Sequence, residues 1–226
     1  MNKKSWIAFT IITVGLLAFL IIFSKNSQTT DLSKLDPFAP QLASEQNGQI
    51  GDQIFGNKDS KIILINYGDF QCGGCATASP AVKNVVEKYK DKMMLIFRNV
   101  TLSYHTNSKA ASAAAEAAGL QDKYWEMHAL IYELQASWSS LGVDDRTAFF
   151  NSLAEQLELD INKFKEDMVS QKVSDKIAYD KALGDKAGVH ETPTFYLNDE
   201  KLESDVWGNE ASLSKRIDEE LNKKSE

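Results

Sequence analysis

The chain predicts an α/β domain in which a block of helices interrupts a single sheet. Three observations predict it. Strand-like Lys61–Tyr67 and Met93–Arg98 flank a helical stretch, which makes a βαβ unit with parallel strands. Residues 121–188 then read as helices throughout. Strand signals return only at Thr194–Leu197, ahead of a hairpin and a last helix at Ala211–Asn222, so the halves of the sheet lie on either side of the block.

The elements follow in order. A short strand around Gln53–Phe55 opens the domain, and the run Ile62-Ile63-Leu64-Ile65 is the pattern of a strand buried on both faces. The next helix carries Val85, Val86 and Tyr89, and Pro80 is expected to kink it. Ser108–Ala118 is alanine-rich and strongly helical by propensity, with Gly119 as its expected cap. Tyr124, Met127, His128, Ile131 and Leu134 share a helical face. Asp144 or Asp145 can cap a helix bearing Phe149, Leu153 and Leu157. Phe164 and Met168 mark a short helix, and Val173, Ile177, Tyr179 and Leu183 the next. Asn198–Lys201 can turn a hairpin whose second strand Trp207 closes.

Ahead of this domain, Trp6–Phe23 is an uncharged, mostly apolar run near the lower limit for a membrane-spanning helix. Lys3 and Lys4 precede it, which places the N-terminus in the cytoplasm and the rest outside. A cleaved signal peptide competes with this reading, but the exit Ile22-Phe23-Ser24-Lys25-Asn26 has no small-x-small cleavage pattern. The expected organisation is a tip and anchor at 1–24, a polar linker at 25–51 containing Pro37 and Pro40, and a domain at 52–226 with its helical insertion at about 119–185. The formal charge of −7 argues against nucleic acid as a partner.

Cys72-Gly73-Gly74-Cys75 holds the only two cysteines, where the first firm strand gives way to a helix. A structural disulfide, a metal site and a redox pair are all open readings of two such thiols. A structural zinc site usually needs four ligands, and none of His105, His128 and His190 pairs with the cysteines at a ligand-like spacing. At a helix N-terminus the first sulfur meets unpaired N–H groups and the positive end of the helix dipole, which favour the attacking thiolate. The residues therefore point to thiol–disulfide exchange.

Four stretches together resemble the DsbA-like thiol–disulfide oxidoreductases, in the membrane-anchored branch of thioredoxin-fold proteins. They are Tyr67-Gly68-Asp69-Phe70-Gln71-Cys72-Gly73-Gly74-Cys75; Phe97-Arg98 with His105 and the alanine-rich helix; Tyr124-Trp125-Glu126-Met127-His128; and Gly188-Val189-His190-Glu191-Thr192-Pro193-Thr194-Phe195. The resemblance implies a thioredoxin fold with an inserted all-helical subdomain. It implies Cys72 as the exposed nucleophile and Cys75 as the resolving thiol. Pro193 matches the family's cis-proline, which would hold Thr192 against the disulfide and offer backbone groups to an extended substrate strand.

Three departures from the family pattern bear on tuning. Asn66 stands where many relatives have a buried acid, leaving proton transfer to water or another group, while Asp69 is expected near the surface. Gly73-Gly74 replaces the Pro-His of strongly oxidising members and supplies no charge. Asp199-Glu200 occupies a hairpin position that is often glycine. His190, three residues before Pro193, could steady the thiolate as a cation, or be an ordinary loop histidine. His105, His128, Trp125, Trp138 and Trp207 read as core, capping or groove residues.

The resemblance implies no cofactor beyond the redox-active pair, and no metal. Implied partners are thiols of unfolded secreted proteins, a quinone-linked reoxidase of the DsbB or vitamin-K-epoxide-reductase type, and the bilayer through the N-terminal helix. The expected role is donation of the CGGC disulfide during oxidative folding. An extracytoplasmic reductase or isomerase is the first alternative, and a metal-binding or other binding module the second.

Overall fold

The structure, a computed structural model, describes residues 12–15 and 35–223. The expected anchor at Trp6–Phe23 lies outside the described residues except for residues 12–15, which are helical and belong to a separate compact unit, Met1–Asp31. No helix among the described residues is long and apolar enough to cross a membrane.

Five strands form one sheet: β1 (Ile54–Gly56), β2 (Ile63–Gly68), β3 (Met94–Asn99), β4 (Thr194–Leu197) and β5 (Glu200–Leu202). Their order is β1-β3-β2-β4-β5, with β2 parallel to β3 and the remaining pairs antiparallel. The nine helices among the described residues of the domain are α1 (Gly73–Tyr89), α2 (Ser108–Gly119), α3 (Tyr124–Glu133), α4 (Gln135–Trp138), α5 (Val143–Gln156), α6 (Ile161–Met168), α7 (Gln171–Lys186), α8 (Ser204–Trp207) and α9 (Glu210–Lys223). This is the βαβ–helical block–ββα order read from the sequence, a thioredoxin-like α/β architecture with a helical insertion.

Alternation along the central strands explains why both sheet faces are covered. Leu64 and Leu95 pack on Val82, Val85 and Val86 of α1 and on Leu213 and Ile217 of α9. Ile65, Tyr67, Met94 and Ile96 point the other way, onto Tyr179 and Leu183 of α7. The helical block has its own core, in which the small Ala114, Ala115 and Ala118 of α2 let Met127, Ile131 and Phe164 pack closely. α1 runs through Pro80 as one helix, although the proline supplies no N–H to the preceding turn. Trp207 does not close a strand. β5 ends at Leu202, and Trp207 ends the short α8, its ring 5.4 Å from that of Phe195.

The stretch from Leu35 to Gly51, expected as part of the linker, is tied to the domain. The cause is Arg98, which the sequence places on a central strand where no water can reach it. Its guanidinium donates to Pro37 O at 2.5 Å, Ala39 O at 2.7 Å and Asp52 Oδ2 at 2.7 Å. Tyr67 OH also donates to Pro37 O, at 2.6 Å. Asp52 and Asp180 share Lys176, at 3.1 and 2.6 Å. Asp180 accepts from Asn99, whose amide also donates to Glu116 Oε1 at 2.8 Å. Burial works against ionisation of Asp52, but Lys176 and Arg98 outweigh it and hold its carboxyl below the usual range.

Glu116 is fully buried, and burial pushes its carboxyl up to about 7, with Asp180 adding to the rise against the opposing pull of Lys176. A raised carboxyl favours the protonated native state, so its contribution is fully present below the unfolded value and is lost as pH rises through about 7. Glu116→Gln stays neutral at every pH. Urea unfolding should therefore show the variant gaining on the wild type between about pH 5 and pH 8, by on the order of 3 kcal/mol at the alkaline end.

Candidate active site

The site begins where β2 ends. The turn Asp69-Phe70-Gln71 is closed by Cys72 N donating to Asp69 O at 3.0 Å. The Asp69 side chain is fully buried, not near the surface as expected. Its Oδ1 accepts from Gln71 N at 2.8 Å and its Oδ2 from Leu102 N at 2.9 Å, with His105 Nδ1 also 2.8 Å from Oδ2. A short acid satisfying backbone donors on both sides of a turn is drawn inward by those bonds.

The helical block holds the same turn from its other side. Gln135, at the start of α4, donates through Nε2 to Phe70 O at 2.7 Å and to Cys72 O at 2.9 Å. Gln71 donates to Ser139 O at 2.7 Å and accepts from Asn107 N at 2.6 Å. Tyr132 OH donates to Asp69 O at 3.4 Å. These contacts join residues 36 to 68 positions apart, and amide side chains bonded to main-chain atoms leave no periodic signal in a sequence. The Gln71–Cys72 adjacency was the only hint.

Cys72 is the N-cap of α1, with extended φ and ψ of −75° and 122°. Both cysteines are free thiols; Cys72 is half-buried and Cys75 is 3% exposed. A hydrogen bond from the Cys75 thiol pulls Cys72 down to about 5, against its own partial burial, with help from the Thr192 side chain and the N–H groups of Cys75 and Gly74. Burial pushes Cys75 far above the ordinary thiol range, and the neighbouring Cys72 adds to that rise. The two thiols are thereby divided into one that is already ionised at neutral pH and one that keeps its proton.

The loop before β4 completes the site. The Thr192–Pro193 peptide is cis, and Thr192 O accepts from Cys72 Sγ at 3.2 Å. The Thr192 hydroxyl is buried without another partner, which leaves it free to donate once the sulfur ionises. Gly73 faces open space, whereas a Cβ at Gly74 would lie 3.4 Å from Pro193 Cδ, so α1 and the proline loop meet at that glycine. His190 is exposed on this loop. Asn66 sits on β2 with Oδ1 buried and unpartnered. His128 is packed among Phe70, Phe97, Trp125 and Tyr132.

A half-exposed acidified thiol, a buried thiol three residues on in the first turn of α1 and an adjacent backbone edge are the parts that dithiol–disulfide exchange requires. Residues 49–219 match the family model described as Thioredoxin, and the chain belongs to that family. Its fold is shared with BdbD from Bacillus subtilis (20% identity, TM-score 0.66, covering 81% of this chain and 98% of that one). It is shared also with α-DsbA1 from Wolbachia pipientis (26% identity, TM-score 0.62, covering 74% and 89%). The DsbA-like resemblance carried by its motifs agrees with these neighbours. Among curated proteins it is similar to a Na(+)/H(+) antiporter NhaA 1 from Salinispora arenicola, 32% identical over 148 residues. That match takes in 65% of this chain and 22% of the antiporter, so the chain spans about a fifth of that relative's length.

Thiolate absorbance in the ultraviolet should show one thiol half-ionised at pH about 5 and the other protonated across the accessible range. Gln135→Ala frees the Phe70 and Cys72 carbonyls and should raise the Cys72 midpoint by roughly half a unit to one unit with the fold intact. An unmoved midpoint would show that the turn is held without Gln135.

Proposed function

We propose that the protein oxidises dithiols of secreted or surface proteins, donating its Cys72–Cys75 disulfide during their folding. The observation that carries this reading is the stabilised Cys72 thiolate beside Thr192. A stabilised thiolate favours the reduced protein over its disulfide, which makes the disulfide oxidising. The sign of the linkage agrees. The depressed Cys72 value stabilises the reduced fold above the ordinary thiol range, and that stabilisation is lost as pH falls through about 5.

A substrate thiolate attacks Cys72 Sγ, forming a mixed disulfide and releasing Cys75 as a thiolate that takes up a proton. A second substrate thiolate attacks the substrate sulfur of that bond, displacing Cys72. The substrate gains a disulfide and loses two electrons, which the protein retains; of the two substrate thiol protons one is matched by the proton taken up at Cys75 and the other stays in solvent, because Cys72 leaves as a thiolate. The redox pair supplies this chemistry without a further cofactor. The main-chain edge at Thr192 would pair with an extended substrate segment.

In the same reading the run at Trp6–Phe23 anchors the chain in the cytoplasmic membrane with its N-terminus inside, and the catalytic domain works outside. A quinone-linked partner of the DsbB or vitamin-K-epoxide-reductase type would take back the two electrons. The apolar run, Lys3, Lys4 and the absence of a cleavage pattern support this placement.

Equilibration with glutathione tests the direction. The expected potential is less negative than about −200 mV, and a value near the roughly −270 mV of thioredoxin would reverse the role to that of a reductant. Cys75→Ala should accumulate mixed disulfides on Cys72 with extracytoplasmic proteins in the host, and Cys72→Ala should trap none. Cytoplasmic proteins caught instead would overturn the compartment.

A further inference from the structure

A pocket of about 480 Å³ opens between α1 and α3, on the sheet face opposite α7. That volume lies within the range of about 300–1,000 Å³ typical of small-molecule sites. The sequence accounts for the gap. Ser79, Val82 and Val86 fall at helical spacing on one face of α1, and Trp125 and Ala129 meet them from α3. Ser79 and Ala129 carry short side chains there, which leaves space that the two helices do not fill. Phe55 of β1 and Leu95 of β3 line it from the sheet, so the lining is largely apolar.

The mouth is charged, and its charges do not cancel. Lys83, Glu87 and Glu126 are all exposed there. Each carboxylate already has a lysine of its own, Glu87 with Lys90 at 3.3 Å and Glu126 with Lys123 at 2.9 Å. Lys83 has no ion-pair partner among the described residues, although the chain as a whole carries a formal charge of −7. One unmatched ammonium therefore stands at the rim of an apolar space.

That combination selects among ligands. An apolar body gains by leaving water for the space between the helices. An anionic group on the same molecule can stay hydrated at the mouth and still be drawn to Lys83, whereas a cationic one is repelled. A neutral apolar molecule would fill the space and leave the ammonium unused.

We propose that this pocket binds a small apolar monocarboxylate, its body between Val82, Val86 and Trp125 and its carboxylate at the mouth beside Lys83. The site is separate from the dithiol. Ser79 follows Cys72 by seven residues on α1, about 10 Å along the helix axis, and the pocket does not depend on the direction of the redox reaction.

The probe is 4-phenylbutyrate, with 4-phenylbutylamine as the same body carrying the opposite charge. The full chain, reduced and labelled with 5-fluorotryptophan, is titrated with each and followed by fluorine resonance. Trp125→Phe identifies the Trp125 signal by its disappearance. The acid should shift that signal saturably and bind at least about threefold more tightly than the amine. Lys83→Glu, a change at an exposed helix position, should reverse that order. Ala129→Phe, which fills the pocket from α3, should abolish the shift while the Cys72 titration stays in place. The Lys83 variant decides the matter alone if the Ala129 variant does not fold. Absence of saturation, an acid bound no more tightly than the amine, an order unchanged in Lys83→Glu, or binding that persists in a folded Ala129→Phe would each overturn the proposal.

Discussion

A sulfur anion at the head of a helix is the constraint around which the domain is arranged. Its charge survives only while the donors that face it stay in place, and those donors are main-chain N–H groups and two small side chains. None of them can follow a wandering turn. The geometry of Asp69, Phe70 and Gln71 therefore matters as much as the identity of Cys72, and the molecule holds those three residues with a buried carboxylate on one side and two glutamines on the other. Depth and hydrogen bonding together divide the labour between the cysteines: burial keeps the proton on Cys75, and the donors around Cys72 favour its thiolate.

The inserted helices act chiefly as a second wall for this turn. Phe70 packs against Phe97 at 4.9 Å, Tyr132 at 5.0 Å and His128 at 5.3 Å, so the residue between the structural acid and the reactive cysteine is clamped by strand and insertion together. Trp138 donates its indole N–H to Ile131 O at 2.8 Å and fixes the bend between α3 and α4 from which Gln135 reaches the active site. An insertion that begins as a sequence interruption thus becomes part of the scaffold of the catalytic pair.

Much of this was legible in the chain. The strands declared themselves through β-branched runs, the helices through apolar periodicity, and the active site through two cysteines and a Thr-Pro-Thr loop. What stayed hidden has a common physical origin. Asp69, Gln71, Gln135 and Arg98 are polar residues whose place is set by which distant main-chain atoms lack partners. Asp69 was assigned to the surface because an acid beside a turn usually sits there. Residues 35–51 were assigned to a linker because their composition is polar, whereas their carbonyls are what a buried arginine requires.

The Arg98 clasp also fixes where the working unit starts. Pro37 and Ala39 are held to the central strand by the same guanidinium that pairs with Asp52, so the chain is fastened before it enters the first strand. A protease cutting upstream of Leu35 would leave every bond around the two sulfurs untouched. The domain from Leu35 onward would then keep both thiols and the turn that holds them as a free-standing module.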